Sequence, residues 1–256
     1  MEDTPQLPQR GSAFDLLRGA AYPLRAAGLV LSVPRLRRLA ALCASITLLI
    51  FGVWAWALWA FLPRLLGALW PHPDGAVGWL WELTLVVSGA LAWLVGAATL
   101  PLLALAPLED TLVAATESAV GAPPAPPSGI ADAARQAVSA VARTTVRVML
   151  LLVGQALLLV LQLLVPAGAP VWAGAGVLWT ALFAFAEYLD PPLARRGGSF
   201  AEVRQVLARR TALALGFGLA VTVLLWVPLL NLFLLPLAVV AGTLLHRSLV
   251  SAGTLS

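Results

Sequence analysis

The sequence predicts an all-α integral membrane protein: two long transmembrane helices, two helical hairpins and amphipathic cytoplasmic helices. Composition is the first observation, because 61% of the 256 residues are hydrophobic and 11% are charged, against about 25% charged in a soluble domain. The second is the set of charge-free runs at residues 39–62, 83–108, 148–186 and 211–245, since about 20 apolar residues suffice to cross a bilayer. The third is that the last two runs are each interrupted near the middle by a Pro-containing turn.

Taken in order, residues 1–11 are Pro- and Gln-rich and read as a disordered N-terminus. Ser12 and Asp15 form a capping-box-like pair, and Phe14, Leu17, Ala21 and Leu24 follow at helical spacing. Arg18 and Arg25 lie beside that stripe, so the segment reads as an interfacial helix on the membrane, broken near Pro23. The cluster Pro34-Arg35-Leu36-Arg37-Arg38 precedes the first span, residues 39–62, which Pro63 and Arg64 are expected to end. Trp70, Trp79 and Trp81 in the following loop suit a membrane–water boundary. In the second span, residues 83–108, Ser88, Ala92 and Gly96 share one face and permit close helix contact. Residues 120–129 form a Pro-rich linker. Ile130, Ala134, Val138 and Val141 then resume a helical stripe, with Arg135, Arg143 and Arg147 on another side.

The hairpins occupy residues 148–186, around Pro166-Ala167-Gly168-Ala169-Pro170, and 211–245, around Pro228-Leu229-Leu230-Asn231 with Pro236 beyond. The shortest arm has 14 residues, and would rise about 21 Å against a hydrocarbon core of about 30 Å. The hairpins are therefore expected to enter the membrane without crossing it, their tips shielded by protein. Residues 12–250 read as a single membrane domain.

Charge sets the orientation and the excluded classes. All 16 basic residues are Arg, and 15 of them fall on one side of the implied topology. That side is cytoplasmic by the positive-inside rule, which places both termini in the cytoplasm. All-Arg usage with Ala, Leu, Gly and Pro richness points to a GC-rich bacterial gene, hence the inner membrane. Residues 1–38 are polar or mixed and hold six Arg, so no signal peptide is read there. The Arg flank apolar runs, so the partners they indicate are anionic lipid heads or a small anion, not nucleic acid. Catalytic signals are missing: the chain has no Lys for a phosphate-binding loop, His72 and His246 are not set in a zinc motif, and no Gly-x-Ser-x-Gly elbow occurs. No enzyme, metal or cofactor is expected. Cys43 is the only cysteine and reads as packing.

Two readings apply to residues 34–38. A helix starting at Pro34 leaves N–H groups of its first turn unpaired, and Arg37 and Arg38 add forked donors suited to a tetrahedral oxyanion. The same Arg would equally anchor the topology. Ser199-Phe200-Ala201-Glu202 is a capping box opening a cytoplasmic amphipathic helix. Gln155 and Gln162, seven apart on one arm, read as helix-to-helix glue.

Three elements carry a resemblance. They are Pro107-Leu108-Glu109-Asp110 with Glu117; Tyr188-Leu189-Asp190-Pro191-Pro192-Leu193 followed by Arg195-Arg196-Gly197 and Ser199-Phe200; and Leu215-Gly216-Phe217-Gly218 with Pro228-Leu229-Leu230-Asn231 and Pro236. Together they resemble the CysZ-type sulfate permeases, grouped with the etoposide-induced membrane proteins, over residues 12–250. The resemblance implies sulfate uptake for cysteine synthesis, hemi-penetrating hairpins and a homo-oligomer. It also implies a sulfate site at Arg35, Leu36, Arg37 and Arg38, where this chain has Arg35 in place of the family's Gly. The alternatives left by the residues are a non-transporting membrane scaffold of the same fold and a channel or carrier for another small anion.

Overall fold

The computed structural model describes residues 12, 14–71, 75, 78–122, 130–198, 200–225 and 228–255. The expected N-terminal tail, His72, the linker prolines and Ser199 lie outside the described residues. Within them every element is helical: α1 Asp15–Ser32, α2 Pro34–Leu69, α3 Gly78–Ala119, α4 Ile130–Leu164, α5 Ala169–Ala194, α6 Phe200–Arg209, α7 Thr211–Leu225 and α8 Pro228–Ser251, with a 3-10 turn at Pro166–Gly168. Three described segments are long and apolar enough to cross a membrane, namely Pro34–Leu69, Thr145–Leu164 and Pro166–Ala194. The protein is an all-α, multi-pass membrane protein. The chain divides into two compact units, Met1–Ala40 with Glu109–Ser256, and Ala41–Leu108.

The first unit is a bundle in which α1 packs on α7 and α8, and α5 packs on α4, α7 and α8. Its core holds Tyr22, Leu36, Phe185, Leu189, Phe217 and Leu245, all fully buried. Glycines set the helix separations. A Cβ on Gly19 would lie 2.2 Å from the Leu213 carbonyl oxygen, and one on Gly216 would lie 1.9 Å from that of Leu16, so α1 and α7 cross backbone to backbone. Gly218 meets the Ala181 carbonyl of α5 and Gly242 that of Tyr188 in the same way. Proline contributes to the last contact. Pro192 lacks the N–H that would otherwise pair with the Tyr188 carbonyl four residues earlier.

Two expected breaks are absent. α1 runs unbroken through Pro23. A proline removes one hydrogen bond and strains one turn, and here Pro23 is buried while the helix is held against α7 and α8. α2 likewise continues through Pro63 to Leu69, where residues 64–69 are mostly good helix formers. Ser12 does not complete a capping box: its hydroxyl accepts the Phe14 N–H at 3.2 Å, while Asp15 turns its carboxylate to Arg18 and Arg210. The second hairpin differs in its tip. Pro228 and Asn231 belong to the first turn of α8, and Pro236 lies within it, as expected of a proline tolerated at a helix start.

In the second unit the Ser88, Ala92 and Gly96 face does what its spacing suggests. The Trp54 indole N–H donates to the Ala92 carbonyl at 3.2 Å, and its ring fills the place a Cβ on Gly96 would take.

Candidate anion-binding site

α2 starts one residue after α1 ends. Val33 is extended (φ −97°, ψ 111°), donates its N–H to the Leu29 carbonyl, and accepts the Arg37 N–H at 3.0 Å. Pro34 has no N–H, so the first turn offers an anion the backbone donors of Arg35 and Leu36, fewer than four. Leu36 is fully buried in the bundle core and fixes the turn's azimuth. Arg35, Arg37 and Arg38 are all exposed around it. Among the described residues no carboxylate forms an ion pair with these three guanidinium groups. The turn therefore presents three forked, permanently charged donors beside the positive end of a 36-residue helix.

Motif residues of α3 and α5 form a second cluster, where the end of α3 meets the end of α5. Gly197, with φ +74°, ends α5 in a left-handed turn that only glycine adopts without strain. Gly198 N–H then returns to the Leu193 carbonyl at 3.0 Å. This turn sends Arg195 and Arg196 back to α3. Arg196 donates through Nε and Nη2 to Glu117 Oε1 at 3.2 and 2.9 Å, and Arg195 lies 3.6 Å from Asp110. Arg147, from α4, is buried and holds Glu187 at 3.1 Å and Asp190 at 2.7 Å. Burial pushes the Glu109 carboxyl, just past the charge-free stretch of α3, up to about 7, and the negative charges of Glu187, Asp110 and Asp190 add to the shift.

The structure thus joins Asp110 and Glu117 to Arg195 and Arg196, and places Tyr188 and Asp190 on the same stretch of α5. It does not bring Pro228, Asn231 or Pro236 there. Asn231 lies 16 residues before Arg247 on α8, about 24 Å along the axis, and it is Arg247 that reaches the end of α3, donating to the Val120 carbonyl at 2.8 Å. Pro107 lies in α3; its side chain, with those of Pro228 and Asn231, falls outside the described residues.

Sequence reasoning missed three groups. Arg147 was read as part of an Arg face, yet an Arg directly before a long charge-free run has few places to put its charge, and it is buried with two carboxylates. Glu187 carried no motif signal. Asp15, read as a cap, is a 1%-exposed tether whose Oδ2 lies 3.4 Å from Arg210, itself 2% exposed at the corner where α6 and α7 bend by 104°. Gln155 does act as glue, donating to the Gly176 carbonyl at 3.2 Å and to Thr180 Oγ1 at 2.8 Å. Beside it, Gln162, Thr180 and Thr222 line a cleft of about 330 Å³ with no charged residue among the described residues of its walls.

The family model described as Sulfate transporter CysZ/Etoposide-induced protein 2.4 matches residues 22–236, a stretch that includes the α2 turn and all the motif residues above. The chain is 25% identical over 241 residues to the sulfate transporter CysZ of Pectobacterium atrosepticum, covering 92% of this chain and 87% of that protein. It is 36% identical over 98 residues to the sulfate transporter CysZ of Vibrio cholerae serotype O1, covering 38% of this chain and 39% of the other.

Proposed function

This chain belongs to the Sulfate transporter CysZ/Etoposide-induced protein 2.4 family, and we propose that it carries sulfate, or a closely similar oxyanion, across the bacterial inner membrane to supply sulfur for cysteine synthesis. The observation that carries this reading is the first turn of α2. Arg35, Arg37 and Arg38 are exposed there, on a helix start held in place by buried Leu36. Charge-assisted bonds from such forks are stronger than neutral ones and match the geometry of a tetrahedral dianion. The turn collects the anion. The cleft of Gln155, Gln162, Thr180 and Thr222 offers uncharged polar groups between the apolar α4–α5 hairpin and α7, without binding so tightly that release is prevented.

The same reading keeps both termini cytoplasmic, because the Arg asymmetry of the sequence favours that orientation. It has the α7–α8 hairpin entering without crossing fully, because the 15 residues of α7 rise about 22 Å against a hydrocarbon core of about 30 Å. It assembles more than one copy, since polar residues of α4 such as Gln162 are exposed and face lipid at a cost in a lone chain. A scaffold role is favoured by one observation, the backbone-to-backbone contacts at Gly19, Gly216, Gly218 and Gly242, which leave those seams no room for a solute. The test that separates them is radiolabelled sulfate uptake by the purified protein in vesicles. Uptake above protein-free vesicles, saturable and competed by unlabelled sulfate, is expected; its absence would leave the scaffold.

A further inference from the structure

We propose that the outward face of α1 seats on the anionic phospholipid headgroups of a membrane leaflet, with Arg18 and Arg25 as its lipid-binding pair. The inference does not depend on which solute the protein moves.

α1 has two unlike faces. Asp15, Gly19, Tyr22 and Ala26 are buried against the bundle. On the other side Phe14, Leu17, Leu24 and Leu31 are exposed by 69%, 66%, 73% and 68%. These four are spaced by 3, 7 and 7 residues, which places them on one continuous stripe. An apolar stripe of that length is not left to water. It is covered by lipid or by another protein.

The charges along its edge decide which. Arg18 and Arg25 each follow a stripe leucine by one residue, so both lie along the same border. Each is held in place. Arg18 Nη1 contacts Asp15 at 3.1 Å while the side chain stays 41% exposed. The Arg25 guanidinium sits 5.5 Å from the centroid of the Tyr22 ring. The one acid among residues 12–38 is Asp15, and it is buried. The exposed face of α1 is therefore apolar and purely cationic. A second copy packed on this stripe would bring two rows of Arg together with no exposed carboxylate on α1 to receive them, which opposes pairing. A leaflet of anionic lipid supplies acyl chains for the stripe and phosphates for the forks. The two Arg are two turns apart, about 10 Å along the axis, so each takes its own headgroup.

The test uses the full-length protein in a neutral detergent, titrated with phosphatidylglycerol or phosphatidylcholine, with retained lipid counted by native mass spectrometry. A basic side chain near an anionic surface contributes on the order of 1 kcal/mol, or about fivefold in affinity. Arg18→Gln with Arg25→Gln should lower phosphatidylglycerol retention by about 25-fold and leave phosphatidylcholine unchanged. Arg25→Gln alone leaves the Asp15 contact intact, which guards against misfolding, and should lower retention by about fivefold. Wild-type phosphatidylglycerol retention in the folded Arg25→Gln protein and in the double variant would overturn the proposal. A high yield of disulfide-linked dimer in native vesicles from Leu24→Cys, with Cys43 replaced by Ala, would also overturn it, because a second copy would then cover the stripe.

Discussion

Gly216→Ala tests whether α1 and α7 cross as closely as described. The added methyl would sit 1.9 Å from the Leu16 carbonyl oxygen, whereas ordinary contact begins at 3.4 Å. The helices must separate by about 1.5 Å, and α7 has no free side to retreat to, because Gly218 on the same helix meets the α5 backbone at Ala181. Overpacking of this kind costs about 1–3 kcal/mol. The upper end applies here, since the neighbour is backbone and cannot change rotamer. Separation by that amount also lengthens the buried Asp15–Arg210 contact, now 3.4 Å, past ion-pair reach. A loss of about 3 kcal/mol corresponds to a fall of about 6–12 °C in melting midpoint for a chain of this size. Intrinsic tryptophan fluorescence on heating in a mild detergent reads it. Gly28→Ala is the control: nothing lies within 4 Å of its Cβ position, and replacing a helical glycine gains about 0.5–1 kcal/mol. Equal midpoints for the two variants, or a Gly216→Ala midpoint within about 2 °C of wild type, would refute the close crossing.

Arg147→Gln should destabilise by about 3 kcal/mol, because breaking a buried ion pair costs about 3–5 and Glu187, 35% exposed, recovers part of its solvation; a midpoint like wild type would count against the network. Arg37→Lys with Arg38→Lys keeps the charge and loses the forks, so sulfate affinity in vesicles should fall about tenfold while orientation, read by cysteine labelling, stays the same; unchanged affinity would leave only the anchor. For Glu109, raised to about 7 from an ordinary 4.5, the folded state holds a proton that the unfolded chain has already released. Stability should fall as pH rises through the window from about 4.5 to 7 and then level off. Glu109→Gln should flatten that slope, and a midpoint-versus-pH curve identical to wild type would exclude the assignment.

The sequence made the fold class legible because lipid forces every backbone group to pair within its own helix, so long charge-free runs have few structural solutions. Local spacing was equally informative where one helix face decides the contact, as at Ala92 and Gly96 under Trp54. It misled where tertiary packing overrides a local penalty. Pro23 and Pro63 read as breaks, and both sit inside continuous helices. The motif around Tyr188 and Arg196 could be seen in the chain, but not its purpose. That purpose depends on the Gly197 turn aiming Arg196 at Glu117, 79 residues away. Arg147 and Asp15 were illegible as partners for the same reason: no periodicity within a helix encodes which distant charge will meet it.

The positive-inside count treats every Arg alike, and the structure separates them. Arg147, Arg195, Arg196 and Arg210 face carboxylates at 2.7 to 3.6 Å, so much of their field is cancelled locally. Arg35, Arg37 and Arg38 are exposed, with no carboxylate partner among the described residues. An anchor needs only charge near the headgroups, and a partly neutralised Arg still supplies some. An anion site needs donors whose hydrogen bonds are not already taken, because a bound dianion must repay its own desolvation. The three Arg at the start of α2 satisfy that stricter condition, and the four in the ion-pair network do not. The network's work is then mechanical: it ties the charged ends of α3 and α5 to each other and the middle of α4 to α5, and Asp15 with Arg210 ties α1 to α7. That division predicts opposite signatures for the two sets. Loss of a network Arg should lower the melting midpoint, whereas loss of a guanidinium at the α2 turn should lower sulfate affinity and leave the midpoint where it was.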